Sequence, residues 1–202
     1  MISTLDTASP AERRRSRLRA HIADVALDLF CDGGYDETTV DDIAAAADIS
    51  TRSFFRYFRA KEEVLFHDAL ETIETLRALV DDRPAGEPLV VSLREALVGL
   101  IALPGKDPER DRRRLQLLAD TPHLEAAKLA HEHQWETALA AVLAGRLGAD
   151  PAADLRPALA AASAIAALRI VLEHWLASDA PRPADEVVTE AFDAMRVIWS
   201  ED

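Results

Sequence analysis

Residues 39–58 read TVDDIAAAADISTRSFFRYF. Thr39 is a good helix N-cap, because its hydroxyl can accept a backbone N–H of the first turn. Asp41 and Asp42 then sit at the positive end of the helix dipole. Val40, Ile43, Ala44 and Ala47 recur at the spacing of one helical face, turned inward. Asp48 and Ile49 make a turn; a left-handed conformation at Asp48 costs less for aspartate than for most residues. Ser50 caps another helix running through Phe58, where Phe54 and Phe58, four apart, share a buried face. Arg52 and Arg56 lie on the opposite face. Two short helices joined by a tight turn predict a helix-turn-helix unit.

Upstream, Leu18, Ile22, Val25, Ala26, Leu29 and Phe30 form one apolar stripe, which predicts a first helix over about 11–31, ended by Asp32, Gly33 and Gly34. Residues 1–10, ending in Ser9-Pro10, read as a poorly ordered arm. Downstream, the periodicity and its breakers predict helices over about 61–81, 89–103, 108–119, 123–147, 152–178 and 184–199. The breakers include Pro84, Pro88, Pro104-Gly105, Thr121-Pro122, Gly148 with Pro151, and Pro181-Arg182-Pro183. The expected fold is all-α, about nine helices, divided into a helix-turn-helix domain at 1–60 and a larger helical domain at 61–202.

A net charge of −13 argues at first sight against nucleic acid as a partner. Its distribution reverses the argument. Residues 13–19 hold five arginines and no acid, and residues 50–61 hold Arg52, Arg56, Arg59 and Lys61 and no acid. Between them, residues 24–48 carry eight acids and no base, which confines any DNA contact to a narrow footprint. The single cysteine, Cys31, excludes an internal disulfide and reads as a small buried hydrophobe. No leader and no uninterrupted apolar run near ~20 residues stands out, so a soluble cytoplasmic protein without membrane association is expected. No metal-ligand spacing, P-loop, dinucleotide fingerprint or catalytic triad appears, so no metal, cofactor or reaction is expected. The competing class is a helical-bundle metalloenzyme, but the paired Glu-x-x-His motifs of a di-iron site are missing.

A recognition helix needs a polar or basic outer face, an apolar inner face and flanking phosphate clamps. Residues 50–58 supply both faces: Arg52 and Arg56 can each bond guanine O6 and N7, while Thr51, Ser53 and Tyr57 can reach bases or phosphates. Residues 39–65, with FFRYFRAKEEVL after the turn, resemble the N-terminal signature of TetR-family regulators, and the likeness extends back through Ala26, Leu29, Phe30 and Gly34. The resemblance implies a dimeric, ligand-responsive repressor on a palindromic double-stranded operator. It makes Ser50, Thr51, Arg52, Ser53, Phe55, Arg56 and Tyr57 the DNA-facing set, with Thr39 and Lys61 on phosphate. Four positions depart from the family pattern: Asp48 stands for a usual glycine, Arg52 for a small residue, Phe55 for a frequent tyrosine and Ala60 for a frequent serine cap.

The stretch DRRRLQLLADTPHL (residues 111–124) and the following helix with His133, Gln134 and Trp135 resemble the mycofactocin-locus subgroup, which implies an acyl-CoA or similar hydrophobic effector. Leu97 and Ile101 are expected to line an apolar pocket, with Gln116, His123, His133 and Trp135 as polar contacts and Arg113 among mouth arginines suited to a phosphate. Leu168, Leu172 and Trp175 on one helix, with Val188, Phe192 and Met195 on the next, form apolar stripes expected to build a four-helix homodimer interface.

Overall fold

A computed structural model describes residues 9–103, 107–178 and 182–199. The breakers Pro104-Gly105 and Pro181, the first eight residues of the expected arm and the Trp199 side chain lie outside the described residues. Among the described residues the protein is all-helical, with nine α-helices: α1 (Pro10–Gly33), α2 (Val40–Ala46), α3 (Thr51–Tyr57), α4 (Ala69–Asp81), α5 (Leu89–Ile101), α6 (Pro108–Asp120), α7 (Glu125–Leu147), α8 (Arg156–Leu176) and α9 (Ala184–Trp199). They fall into two compact units, one ending at Asp68 and one beginning at Ala69.

In the first unit α1 starts inside the stretch read as an arm. Ser9 accepts the Glu12 N–H at 3.2 Å and Glu12 accepts the Ser9 N–H at 2.7 Å, a reciprocal capping box with Pro10 at the first helical position. These bonds also hold the Glu12 carboxyl below its ordinary range. The helix closes at Gly34, whose φ of 93° favours glycine and whose N–H bonds the Phe30 carbonyl. Ile22, Ala26 and Phe30 of α1, Ile43 of α2, Phe54 of α3 and Phe58 just after it are all buried, so two short helices share a core with the longer α1. Asp48 takes the left-handed conformation at φ 54°, which turns α2 into α3. Cys31 is exposed rather than buried: the inward stripe of α1 ends at Phe30, one residue before it.

A helix directly from Lys61 does not form. Residues Lys61–Phe66 make a 3-10 helix instead, and α4 begins at Ala69. Ala60 offers no side-chain cap; Glu63 reaches back to the Arg59 N–H at 2.8 Å, and buried Val64 and Leu65 hold the segment among the elements of the first unit, where it packs on α1. The compact unit therefore runs to Asp68 rather than to residue 60.

In the second unit α8 packs on α5, α6, α7 and α9. It is apolar enough by length and composition to cross a membrane. Its Ala161, Ala164, Ile165, Ala167 and Val171 are instead buried in a core shared with Leu97 of α5, Leu143 of α7 and Val188 of α9. The start of α8 falls later than residue 152 because Asp150 and Asp154 each bind the N–H two residues on, at 2.9 Å, and hold the chain in turns. The α4–α5 connection is fastened from α7: Arg146 donates to the Val80 and Arg83 carbonyls at 3.1 and 3.0 Å, to the Pro84 carbonyl, and to Ser92 Oγ at 3.3 Å. Glu87 in the same turn accepts from Arg83 Nε at 2.8 Å and Ser92 Oγ at 2.7 Å. Those bonds pull its carboxyl down to about 2.

Candidate nucleic-acid interface

A seven-residue helix is too short to persist alone, so α3 depends on what holds it. Ser50 caps it, accepting the Ser53 N–H at 3.1 Å and donating to Ser53 Oγ at 3.0 Å. Thr51 donates to Asp41 of α2 at 2.6 Å, which ties the two helices across the turn. At the other end Arg19 of α1 donates to the Tyr57 carbonyl, one of the orphan acceptors of the last turn, and its guanidinium lies 4.3 Å over the Phe58 ring. Burial lowers the Arg19 pKa, the expected sense for a cation taken from water. Arg19 belongs to the basic run at 13–19, but nothing in the sequence assigns it to this carbonyl, which lies 38 positions away.

The nine expected DNA-contacting residues divide by what they already bind. Arg52 and Phe55 are exposed on the outer face of α3, and so is Arg56, which donates to Tyr57 Oη at 3.2 Å while its guanidinium lies 5.0 Å from the half-buried Tyr57 ring. Arg52, Phe55 and Arg56 are the exposed side chains of α3, with Thr51, Ser53 and Tyr57 half-buried beside them. Ser50 and Ser53 bond each other, and the Thr51 proton is committed to Asp41. The Thr39 hydroxyl donates to Asp42 at 2.6 Å and accepts the Asp42 N–H, and the Thr39 N–H is itself taken by Asp42 at 2.9 Å. That capping box, with Asp41 beside it, leaves Thr39 little to offer a phosphate. Lys61 donates to the Tyr35 carbonyl at 2.6 Å and to the Thr38 carbonyl at 2.9 Å, with the Tyr35 ring 4.1 Å away. An ammonium has three donors, so one remains for a phosphate while two close the loop between α1 and α2. Beneath it, burial with help from Glu62 and Asp36 pushes the Tyr35 phenol up to about 12.

In the second unit the residues expected around an effector do not converge. Leu97 is fully buried in the core and Ile101 packs against it. Arg113, His123 and His133 are exposed, and exposed Gln116 bonds Asp120 at 3.0 Å. Of that set, Trp135 lines a crevice between α4 and α7, with Ile73, Leu76, Arg77, Ala138, Leu139 and Val142. Its Nε1 is buried without an acceptor. The sequence reading placed the pocket among the fourth to eighth helices, but drew its named lining from residues 97–135 and did not single out Ile73, Leu76 or Arg77, although their spacing on α4 marks a shared face.

The expected dimer stripe also divides. Val188 and Phe192 are buried in the protomer's own core, with Leu168 and Met195 packed against it. Trp175 lies beneath Arg112, 5.0 Å from the guanidinium, and donates to the Arg182 carbonyl at 3.2 Å. Among the described residues, the large apolar side chains of these helices that are exposed are Leu159 and Ile170 on α8, at 63% and 56%, and Val197 on α9, at 69%. Helical periodicity marked one apolar stripe on each helix and could not say whether the bundle or a second copy covers it.

Comparison with known proteins adds the following. Residues 22–67 match the model of the bacterial regulatory proteins of the tetR family, and residues 87–199 match that of the MftR C-terminal domain. The chain is similar to the mycofactocin biosynthesis transcriptional regulator MftR of Mycobacterium tuberculosis, 32% identical over 183 residues that cover 91% of each chain. It is also similar to the HTH-type transcriptional regulator TcmR of Streptomyces glaucescens, 33% identical over 193 residues, 92% of this chain and 85% of that one. Among solved structures its fold matches SmeT, the repressor of a Stenotrophomonas maltophilia multidrug efflux pump, with a TM-score of 0.61 and 21% identity over 91% of each chain.

Proposed function

The chain belongs to the TetR family of bacterial transcriptional regulators, with an MftR-type C-terminal domain, and from that premise we propose that it is a ligand-responsive repressor that binds a near-palindromic operator as a homodimer in the cytoplasm. The observation that carries the reading is the outer face of α3, where Arg52, Phe55 and Arg56 stand exposed on a helix braced from three sides. Residues 1–68 act as the DNA-binding domain and the remainder as the regulatory one. Two copies are joined through the outward faces of α8 and α9, because Leu159, Ile170 and Val197 form apolar surface that a lone protomer leaves in water. This places the interface one helical face away from Val188 and Phe192.

The effector is a hydrophobic small molecule such as an acyl-CoA, entering at the crevice beside Trp135. The crevice holds only about 10 Å³, so an alkyl chain enters only if α4 and α7 part; its mostly apolar lining and the unpartnered indole N–H then favour a hydrophobic ligand that carries a carbonyl oxygen. SmeT, which shares the fold, has been solved in complex with triclosan. Such a ligand releases the operator only by favouring a conformation in which the two recognition helices no longer match successive major grooves. The test is a gel-shift titration on the region upstream of the protein's own gene, followed by acyl-CoA of increasing chain length. Specific retardation that the ligand reverses is the expected result. Retardation no stronger than on random duplex would overturn the operator reading, and unchanged operator affinity with no rise in melting temperature would remove the acyl-CoA.

A further inference from the structure

Phe55 is the unusual member of the outer face of α3. It lies at i+3 from Arg52 and one residue before Arg56, so the three side chains share that face. Solvent reaches 52% of Phe55, whereas its neighbours Phe54 and Phe58 are buried at 0% and 1%. The ring is held edge-on against Phe54, with centroids 5.5 Å apart and planes at 87°. Its backbone is fixed at both ends, by the Ser50 cap and by Arg19 on the Tyr57 carbonyl. The first unit therefore presents a positioned phenyl ring flanked by two cations before any DNA arrives.

A phenyl ring has no donor or acceptor for a phosphate or for the polar edge of a base. The apolar group displayed by the major groove is the 5-methyl of thymine. The adjacent arginines favour the negative potential of the groove and can take guanine edges beside it. Resting on the reading of α3 as the recognition helix, we infer that Phe55 reads a thymine 5-methyl group in each operator half-site. Base choice at that position then comes from apolar contact, and hydrogen bonding at that position is left to Arg52 and Arg56.

The experiment uses the full-length dimer and an operator obtained by in vitro selection from random duplexes. Each thymine is replaced singly by deoxyuridine, which deletes the methyl and leaves every hydrogen-bonding atom in place. For the wild type, one thymine per half-site is expected to weaken binding about fourfold on substitution, the equivalent of burying one methyl at ~0.8 kcal/mol. Phe55→Ala, at an exposed position and so expected to melt as the wild type does, binds the thymine and uracil operators equally. Phe55→Leu retains part of the preference. Specific binding with indifference to every uracil substitution overturns the inference and leaves the recognition helix standing, as does a Phe55→Ala protein that keeps the wild-type preference. Selection that enriches no sequence overturns the DNA-reading role of α3 itself.

Discussion

Around α3, polar side chains of the first unit hold backbone groups of other elements. Arg19 binds the end of α3, Lys61 binds the α1–α2 loop, and Thr38 of that loop donates to the Leu29 carbonyl of α1 at 3.4 Å. In the second unit the contacts between α5, α7, α8 and α9 are mainly apolar, with the ion pairs Arg94–Asp193 and Arg169–Glu132 at their margins, and the densest polar fastening lies at the turn around Arg146 and Glu87. The difference teaches why the likeness of the first unit rests on a short run of residues at fixed offsets, whereas that of the second is spread over residues 87–199. A site built on short helices needs particular residues at particular offsets, whereas a bundle core accepts many apolar residues of similar volume.

The sharpest way to break this comparison lies in α8 and α9. Phe192→Asp puts a charge into the protomer core and is expected to unfold the second unit, whereas Ile170→Asp is expected to leave the fold intact and yield a monomer. Far-ultraviolet circular dichroism and sedimentation at micromolar concentration separate the two results. A folded monomer from Phe192→Asp together with a dimer from Ile170→Asp would return the interface to the other face.

Next in size is Phe54→Ala, which empties a fully buried ring position behind α3. It is expected to cost ~3–5 kcal/mol and to abolish operator binding. Leu97→Ala in the second core is expected to cost ~2–5 kcal/mol while operator binding persists below its melting temperature. Equal loss of DNA binding in both, at a temperature where both are folded, would break the division of labour.

Arg52→Ala is expected to cost ~1–3 kcal/mol on the preferred operator and little on random duplex. Lys61→Ala should lower the melting temperature as well as affinity for every sequence, because two of its donors hold carbonyls inside the protein. Unchanged thermal stability in Lys61→Ala would restore a pure phosphate contact.

The smallest effect belongs to Glu87. Its carboxyl lies at about 2 when folded, against an ordinary 4.5, so ionised Glu87 favours the folded state. That contribution is complete above pH 4.5 and fades as the pH falls toward about 2. Glu87→Gln should therefore melt below the wild type at neutral pH, and the two melting curves should converge in acid. A gap that stays constant from pH 7 down to the acid limit of folding would show that the carboxylate charge contributes nothing at this turn.

Much of the first unit was legible from residues alone. Thr39 and Ser50 announce caps, Asp48 marks the left-handed turn, and Phe54 with Phe58 marks the inner face of α3. These are local rules in which a side chain acts on backbone within four residues. Ser9-Pro10-Ala11-Glu12 obeys the same rules and is a capping box that an early proline disguised as an arm. The sequence by itself thus determined the helical class, the helix-turn-helix and the exposed outer face of α3. Tertiary structure alone decided that Lys61 and Arg19 bind carbonyls 23 to 38 positions away, that Cys31 faces water, and that Lys61–Phe66 winds as a 3-10 helix of the first unit. It also decided which face of α8 and α9 enters the bundle. The physical reason is the same throughout: a helix's period fixes which residues share a face, but only the neighbours packed against that face determine whether it is buried, bonded or left to a partner.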